Sequence, residues 1–204
     1  MLFKRFGNLK INVHNMGIDM LSMSGHKFYG PKGIGALYVK ENIKFEKFMN
    51  GGHQERDKRA GTENTAGIIG LGKAAELAYN ELEEHISKMK KLRNYYIDEV
   101  TKRISNIKIN GAINARLPGN SNISFEGING NDLLLELDNV GICASSGSAC
   151  NSKDPAPSHV LKSIGLSEDL IRGALRVTFG AFNTIEEVDF LVENLERCVK
   201  KLRK

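Results

Sequence analysis

With 204 residues the chain can bury a sizeable core, as one large domain or two small ones, and its 41% hydrophobic and 26% charged residues mark it as globular. No run approaches the roughly 18 apolar residues of a membrane span and Met1–Lys10 lacks the apolar core of a signal peptide, so no membrane partner and a cytoplasmic location are expected. The net charge of +5 is dispersed along amphipathic segments, which argues against nucleic acid, and Cys143, Cys150 and Cys198 are an odd set without CxxC spacing, which argues against a disulfide framework or a zinc knuckle.

In chain order, Ile18–Ser24 reads as a short buried strand and Ile34–Val39 as a second, with Gly30-Pro-Lys-Gly33 as the turn between them. Asn50 to Gly61 is a polar, glycine-bracketed loop. From Thr65 to Ile104 apolar residues recur at three- and four-residue steps (Leu71, Ala75, Ala78, Leu82, Ile86, Met89, Tyr96, Val100, Ile104), the pattern of one long helix able to brace two domains. Ile107–Ile109 and Ser121–Phe125 look like strands, Asn131–Asp138 like a helix, and Gly141–Ala144 like a strand running into a serine-rich loop. Pro157 to Leu161 starts a short helix with Ser158 as its cap, and Leu175–Phe179 alternates as a half-buried strand. The last helix opens at Thr184 with Glu187 three residues on, a capping box, then presents Val188, Leu191, Leu195 and Val199 on one face. The C-terminal two-thirds is therefore expected to be an α+β unit, and the basic tail after it a solvated helix end.

Lys27 stands out chemically. It lies between a Ser-Gly-His run and a glycine-proline turn, directly after a strand, where an amine can be held in place for Schiff-base chemistry. Ser24 offers a hydroxyl to a phosphate, and His26 could move a proton near an imine. The bland alternative is a surface turn in which Lys27 is solvated and His26 packs. Cys150 ends the small polar run Ser145-Ser-Gly-Ser-Ala, suited to carrying a thiolate toward a substrate. Cys198 and Cys143 are expected to be buried small hydrophobes. Arg176 would bind a carboxylate if it points inward, and would be an ordinary surface residue if it points out. Gln54, Glu55, Arg56, Arg59, Thr62 and Asn64 are too polar for a core. His14, His53, His85 and His159 have no metal-ligand spacing.

Four ordered strings carry a resemblance: Ser-Gly-His-Lys-Phe-Tyr-Gly-Pro-Lys-Gly (24–33), Gly-Gly-His-Gln-Glu-Arg with Arg-Ala-Gly-Thr-Glu-Asn (51–64), Ser-Ser-Gly-Ser-Ala-Cys (145–150) and Pro-Ser-His-Val-Leu (157–161). Together they resemble the cysteine desulfurases, class V aminotransferase-like enzymes that use pyridoxal 5'-phosphate. The resemblance implies an α/β fold, the C-terminal part of a PLP-dependent transferase of fold type I. Residues 1–63 would be a remnant of the large domain with its mostly parallel sheet, and 64–204 the small α+β domain including the long helix. It implies that Lys27 carries the cofactor covalently, that Ser24 and His26 contact it, and that Thr62 reaches the phosphate of a partner subunit's cofactor, hence a homodimer. Cys150 would take sulfur from L-cysteine as a persulfide, releasing alanine, and Arg176 would hold the substrate carboxylate. The interval from Cys150 to Pro157 resembles the long-loop branch, whose partner is an iron–sulfur scaffold or another sulfur acceptor. The chain would need no metal of its own, although Cys150 could meet a cluster on that scaffold.

Aligned through Gly7 and an expected strand at Ile11–Val13, Met1 falls where the family has the aspartate that pairs with the pyridine nitrogen, and Lys4 on the glutamine beside the ring hydroxyl. The ring-stacking histidine and the glycine-threonine phosphate turn would lie upstream. The expected function is therefore half of a cysteine desulfurase, weakly active or inactive alone and completed by an N-terminal half. The alternatives are a non-catalytic remnant or interaction subunit carrying the persulfide loop, and a selenocysteine lyase-like class V enzyme.

Overall fold

The computed structural model describes residues 7–146 and 158–204. Packing divides the chain into two compact units, Met1–Glu84 and His85–Lys204.

In the first unit, β1 (Met20–Ser24) and β2 (Gly35–Val39) form an antiparallel hairpin in register from Met20 opposite Val39 to Ser24 opposite Gly35. The expected strand at Ile11–Val13 is instead the entry to a turn. Met16 N–H donates to Asn12 O at 3.0 Å, Ile18 N–H to Val13 O at 2.9 Å, and Gly17 takes a φ of 61° that only a glycine adopts without cost. Between β1 and β2 a tight 3-10 turn, Gly25–Phe28, follows the strand directly. A single turn α1 (Gln54–Asp57) interrupts the polar loop, and α2 (Thr65–Asn80) begins where Asn64 Oδ1 accepts from Gly67 N–H at 3.1 Å.

The single helix expected over Thr65 to Ile104 is two. Its last α2-type bond, Glu81 N–H to Leu77 O at 3.0 Å, is followed at once by α3 (Leu82–Arg103). A one-residue break leaves Ala78 and Leu82 four apart, so the apolar stripe runs through it and the periodicity does not register it.

The second unit contains most of α3, then β3 (Ile107–Ile109), β4 (Asn120–Phe125), α4 (Gly130–Asp138), α5 (His159–Ser163), α6 (Glu168–Arg172), β5 (Ala174–Thr178) and α7 (Ile185–Leu202). Its sheet has the order β3-β4-β5 with antiparallel neighbours. The strand expected at Gly141–Ala144 is reduced to one bridge, Ser145 to Arg176, closed by Arg176 N–H to Ser145 O at 2.6 Å and Ser145 N–H to Arg176 O at 3.1 Å. Pairing among the described strands is thus antiparallel in both units.

Alternation decides the core. Ile123 and Phe125 of β4 and Leu175 and Val177 of β5 share one face, against Leu92, Tyr96 and Val100 of α3, Leu133 and Leu137 of α4, and Val188, Leu191, Val192, Leu195 and Val199 of α7. Each fully buried side chain of this size contributes about 1.5–3 kcal/mol. The ring of Tyr96 meets Phe179 edge-on at 5.6 Å. The capping box at Thr184 forms as expected, with Glu187 N–H donating to Thr184 Oγ1 at 3.3 Å and Thr184 N–H to Glu187 Oε2 at 3.2 Å. Ser158 Oγ likewise accepts from Leu161 N–H at 3.4 Å at the start of α5. Where α6 turns into β5, Gly173 lies so close to β4 that a Cβ there would strike the Phe125 carbonyl oxygen.

Candidate active site

Ser24, His26 and Lys27 lie together on one turn because β1 ends into it without a linker. The turn is held from both sides. Phe28, 3% exposed, anchors its end, while Gly25 N–H donates to Ile34 O and Gly30 N–H to Gly25 O, both at 2.9 Å. Helix α2 packs on it at close range: a Cβ on Gly25 would lie 3.1 Å from Leu71 Cδ1, and one on Gly70 only 2.7 Å from Pro31 Cγ. A side chain at Gly70 would force Pro31 to shift, and one at Gly25 would force Leu71 to give way slightly. Phe28 also lines an apolar cavity of about 270 Å³ with Met23, Ala36, Ile68, Leu71, Gly72 and Ala75. On this fixed base His26 and Lys27 are exposed, and the Ser24 side chain makes no capping bond. Lys27 forms no ion pair among the described residues.

Thr62 lies elsewhere in the same unit, exposed on the segment between α1 and α2. The loop before it is strained: Glu55, Arg56 and Asp57 take φ of 51°, 55° and 61°, the left-handed region, at about 1–2 kcal/mol each for residues with a Cβ. Asp57 holds the bend by accepting from Lys47 Nζ at 2.6 Å and pairing with His53 Nδ1 at 3.1 Å. Those two bonds, Lys47 first, lower the pKa of the Asp57 carboxyl. Gln54 Oε1 accepts from Gly61 N–H at 3.1 Å and ties the two ends of the loop.

In the second unit Arg176 is half-buried on β5, on the sheet face opposite Leu175 and Val177. It therefore points away from the hydrophobic core, to a polar face. Ser145 bridges to it, and Ser146 Oγ donates to Asn131 Oδ1 at 2.7 Å. Cys150 and the Cys150 to Pro157 interval lie outside the described residues. Cys143 is exposed, contrary to expectation, because its segment joins the sheet only at Ser145; Cys198 is buried as expected, on α7. Sequence reasoning passed over Asn110 and Asn122. Both sit on the face of Arg176, where Asn110 Nδ2 donates to Asn122 Oδ1 at 2.6 Å and to Ser124 Oγ at 2.8 Å.

For an aldehyde- and phosphate-bearing cofactor the Lys27 turn fits in part. It presents an exposed amine with no ion pair among the described residues and, on the strand end before it, a serine whose side chain makes no capping bond. The carboxylate nearest to it along the described chain, Asp19, is paired with Lys40 at 3.3 Å.

Residues 4–191 match the family model described as Aminotransferase class-V, and the chain belongs to that family. Within it, the chain is 48% identical over 197 residues to cysteine desulfurase IscS of Dictyoglomus turgidum and 51% identical over 199 residues to a protein of the same name from Clostridium botulinum. Each alignment covers 97% of this chain and 50% of the relative, so the chain spans about half the length of the curated relatives it matches. A solved structure of a NifS-like protein from Rickettsia africae superposes with a TM-score of 0.88 at 31% identity, over 98% of this chain and 52% of that one.

Proposed function

We propose that the chain forms the C-terminal half of a cysteine desulfurase, which converts L-cysteine to L-alanine and holds the sulfur as a persulfide on Cys150 for transfer to an iron–sulfur scaffold. The observation that carries this reading is the Lys27 turn: an exposed amine without an ion pair among the described residues, close in sequence to a serine whose side chain makes no capping bond, on a base locked by Phe28 and α2, in a chain alike to such enzymes along nearly its whole length. In this reading Lys27 and Ser24 hold pyridoxal phosphate, His26 moves a proton beside it, and Thr62 serves the site of a second subunit in a homodimer. Bound there, the cofactor supplies the electron sink that lets the substrate's carbon–sulfur bond break. Arg176 fixes the substrate carboxylate. The Cys150 thiolate attacks the substrate sulfur; the sulfur–sulfur bond forms as the carbon–sulfur bond breaks, and the released carbon takes up a proton and leaves as alanine.

The chain alone is expected to bind pyridoxal phosphate weakly and to release little or no sulfide from cysteine, measured by imine absorbance and sulfide assay. Robust turnover by the chain alone would contradict this. A second reading, an interaction subunit without catalysis, draws on the large apolar side chains left exposed in the first unit, Phe48, Ile69 and Tyr79 among them. It predicts no cofactor binding even with an N-terminal half present. A selenocysteine lyase would show itself by preferring selenocysteine over cysteine in the completed enzyme.

A further inference from the structure

Four polar side chains, Asn110, Asn122, Arg176 and Ser145, follow one another straight across the sheet of the second unit. The ladder fixes this order. Arg176 exchanges both backbone bonds with Ser145, so toward β4 it forms a non-hydrogen-bonded pair with Asn122, the kind in which facing side chains come closest. Asn122 in turn receives the Asn110 N–H at its carbonyl, 2.9 Å, which brings Asn110 beside it on the same face.

The amide of Asn122 is oriented by Asn110. Asn110 is 5% exposed and spends both Nδ2 hydrogens, on Asn122 Oδ1 and Ser124 Oγ, while its own Oδ1 is buried with no partner among the described residues. A buried amide left half-unsatisfied costs stability. What it secures is the direction of its neighbour: with Oδ1 of Asn122 occupied on the β3 side, the Nδ2 hydrogens of Asn122 are left for the side of Arg176. A guanidinium and an amide NH₂, both donors only, then stand next to each other, and Arg176 has no side-chain acceptor among the described residues. Such a pair calls for an anion with two oxygens.

We propose that Asn122 is a further substrate-binding residue, donating from Nδ2 to one carboxylate oxygen while Arg176 engages the other, and that Asn110 is the positioning residue that sets its amide. The inference rests on the assignment of Arg176 to the substrate carboxylate made above. It adds a specificity element: the arginine alone would accept many anions, whereas the pair selects a planar carboxylate.

Side-chain NMR of the full 204-residue chain tests this with sodium propionate as the probe and propylamine, which lacks the carboxylate, as control. Propionate should move both the Asn122 Nδ2 and Arg176 Nε resonances, and propylamine neither. Asn122→Ala should weaken the Arg176 response about tenfold, the loss of one charge-assisted bond. Asn122→Asp should shift Arg176 Nε before any propionate is added and abolish the response, because the new carboxylate occupies the site. Asn110→Ala should move the Asn122 Nδ2 signals toward those of a solvated amide and weaken the response several-fold. If Asn122→Ala unfolds, Asn122→Asp carries the test. An Arg176 Nε response unchanged in both Asn122 variants, together with an Asn122 Nδ2 response lost in Arg176→Ala, overturns this inference and leaves the arginine assignment standing. No response in the unaltered chain, or an Asn122 Nδ2 response that survives Arg176→Ala, overturns both.

Discussion

Burial separates the two described thiols. Cys198 is 6% exposed on α7, and burial raises the pKa of its thiol; Cys143 is exposed in the segment before the Ser145 bridge. Since the thiolate is the reactive form, iodoacetamide at mildly alkaline pH should modify Cys143 in the folded chain and Cys198 only after denaturation, read by mass spectrometry of tryptic peptides. Equal labelling in the folded state would contradict the burial of Cys198. At the same scale, Lys27→Ala should abolish the imine absorbance of the completed enzyme while leaving the circular dichroism of the chain unchanged, because the side chain is exposed and unpaired. That Ser24, His26 and Lys27 share one strand and turn was legible in the sequence, since they are neighbours along it and the strand-turn context is local. Asn110 and Asn122 were not. Their meaning comes from register across strands, and no local period encodes which residue of β4 faces Arg176.

At the scale of elements, the capping box and the glycine contacts give the sharpest expectations. Thr184→Ala removes the acceptor for Glu187 N–H at the start of α7 and should cost about 1 kcal/mol, seen as a lower midpoint in urea. Gly173→Ala should cost roughly 1–3 kcal/mol, because the Phe125 carbonyl belongs to β4 and has no room to yield. The α1 loop should depend on pH. Its Asp57 carboxyl titrates below the ordinary value through its bonds to Lys47 and His53, so the stability it contributes is present above the unfolded carboxylate value of about 4 and fades as pH falls through the lower folded one. An NMR titration of Asp57 should therefore show a midpoint below that value, and Lys47→Met should raise it. Helix existence was readable from periodicity, and the caps at Thr184 and Ser158 from residue type. The break at Glu81 and the left-handed run at Glu55 to Asp57 were not: the first leaves the apolar stripe intact, and the second depends on tertiary bonds to Lys47 and His53.

At the scale of the whole molecule, the two units differ in how well they close. The second has a main core between three helices and a sheet, with a smaller buried cluster of Leu161, Leu166, Ile171 and Ala174 beside it. The first leaves Phe48 at 98%, Ile69 at 73% and Tyr79 at 69% exposure around a two-stranded hairpin, more apolar surface than a finished unit leaves to water. That surface agrees with a chain matching half of each relative, and it predicts association in solution; a monodisperse monomer at high concentration in light scattering would speak against it. Family and fold were legible because four ordered motifs span the chain, while the division at Glu84 and His85 was not, since it falls inside a helix whose pattern is continuous. The most direct measurement of the central claim is to combine the purified chain with the N-terminal half of a relative, add pyridoxal phosphate and L-cysteine, and follow imine absorbance and alanine together. Both should appear only in the mixture and both should vanish with Lys27→Ala; a mixture that forms a stable complex yet yields neither would contradict the assignment.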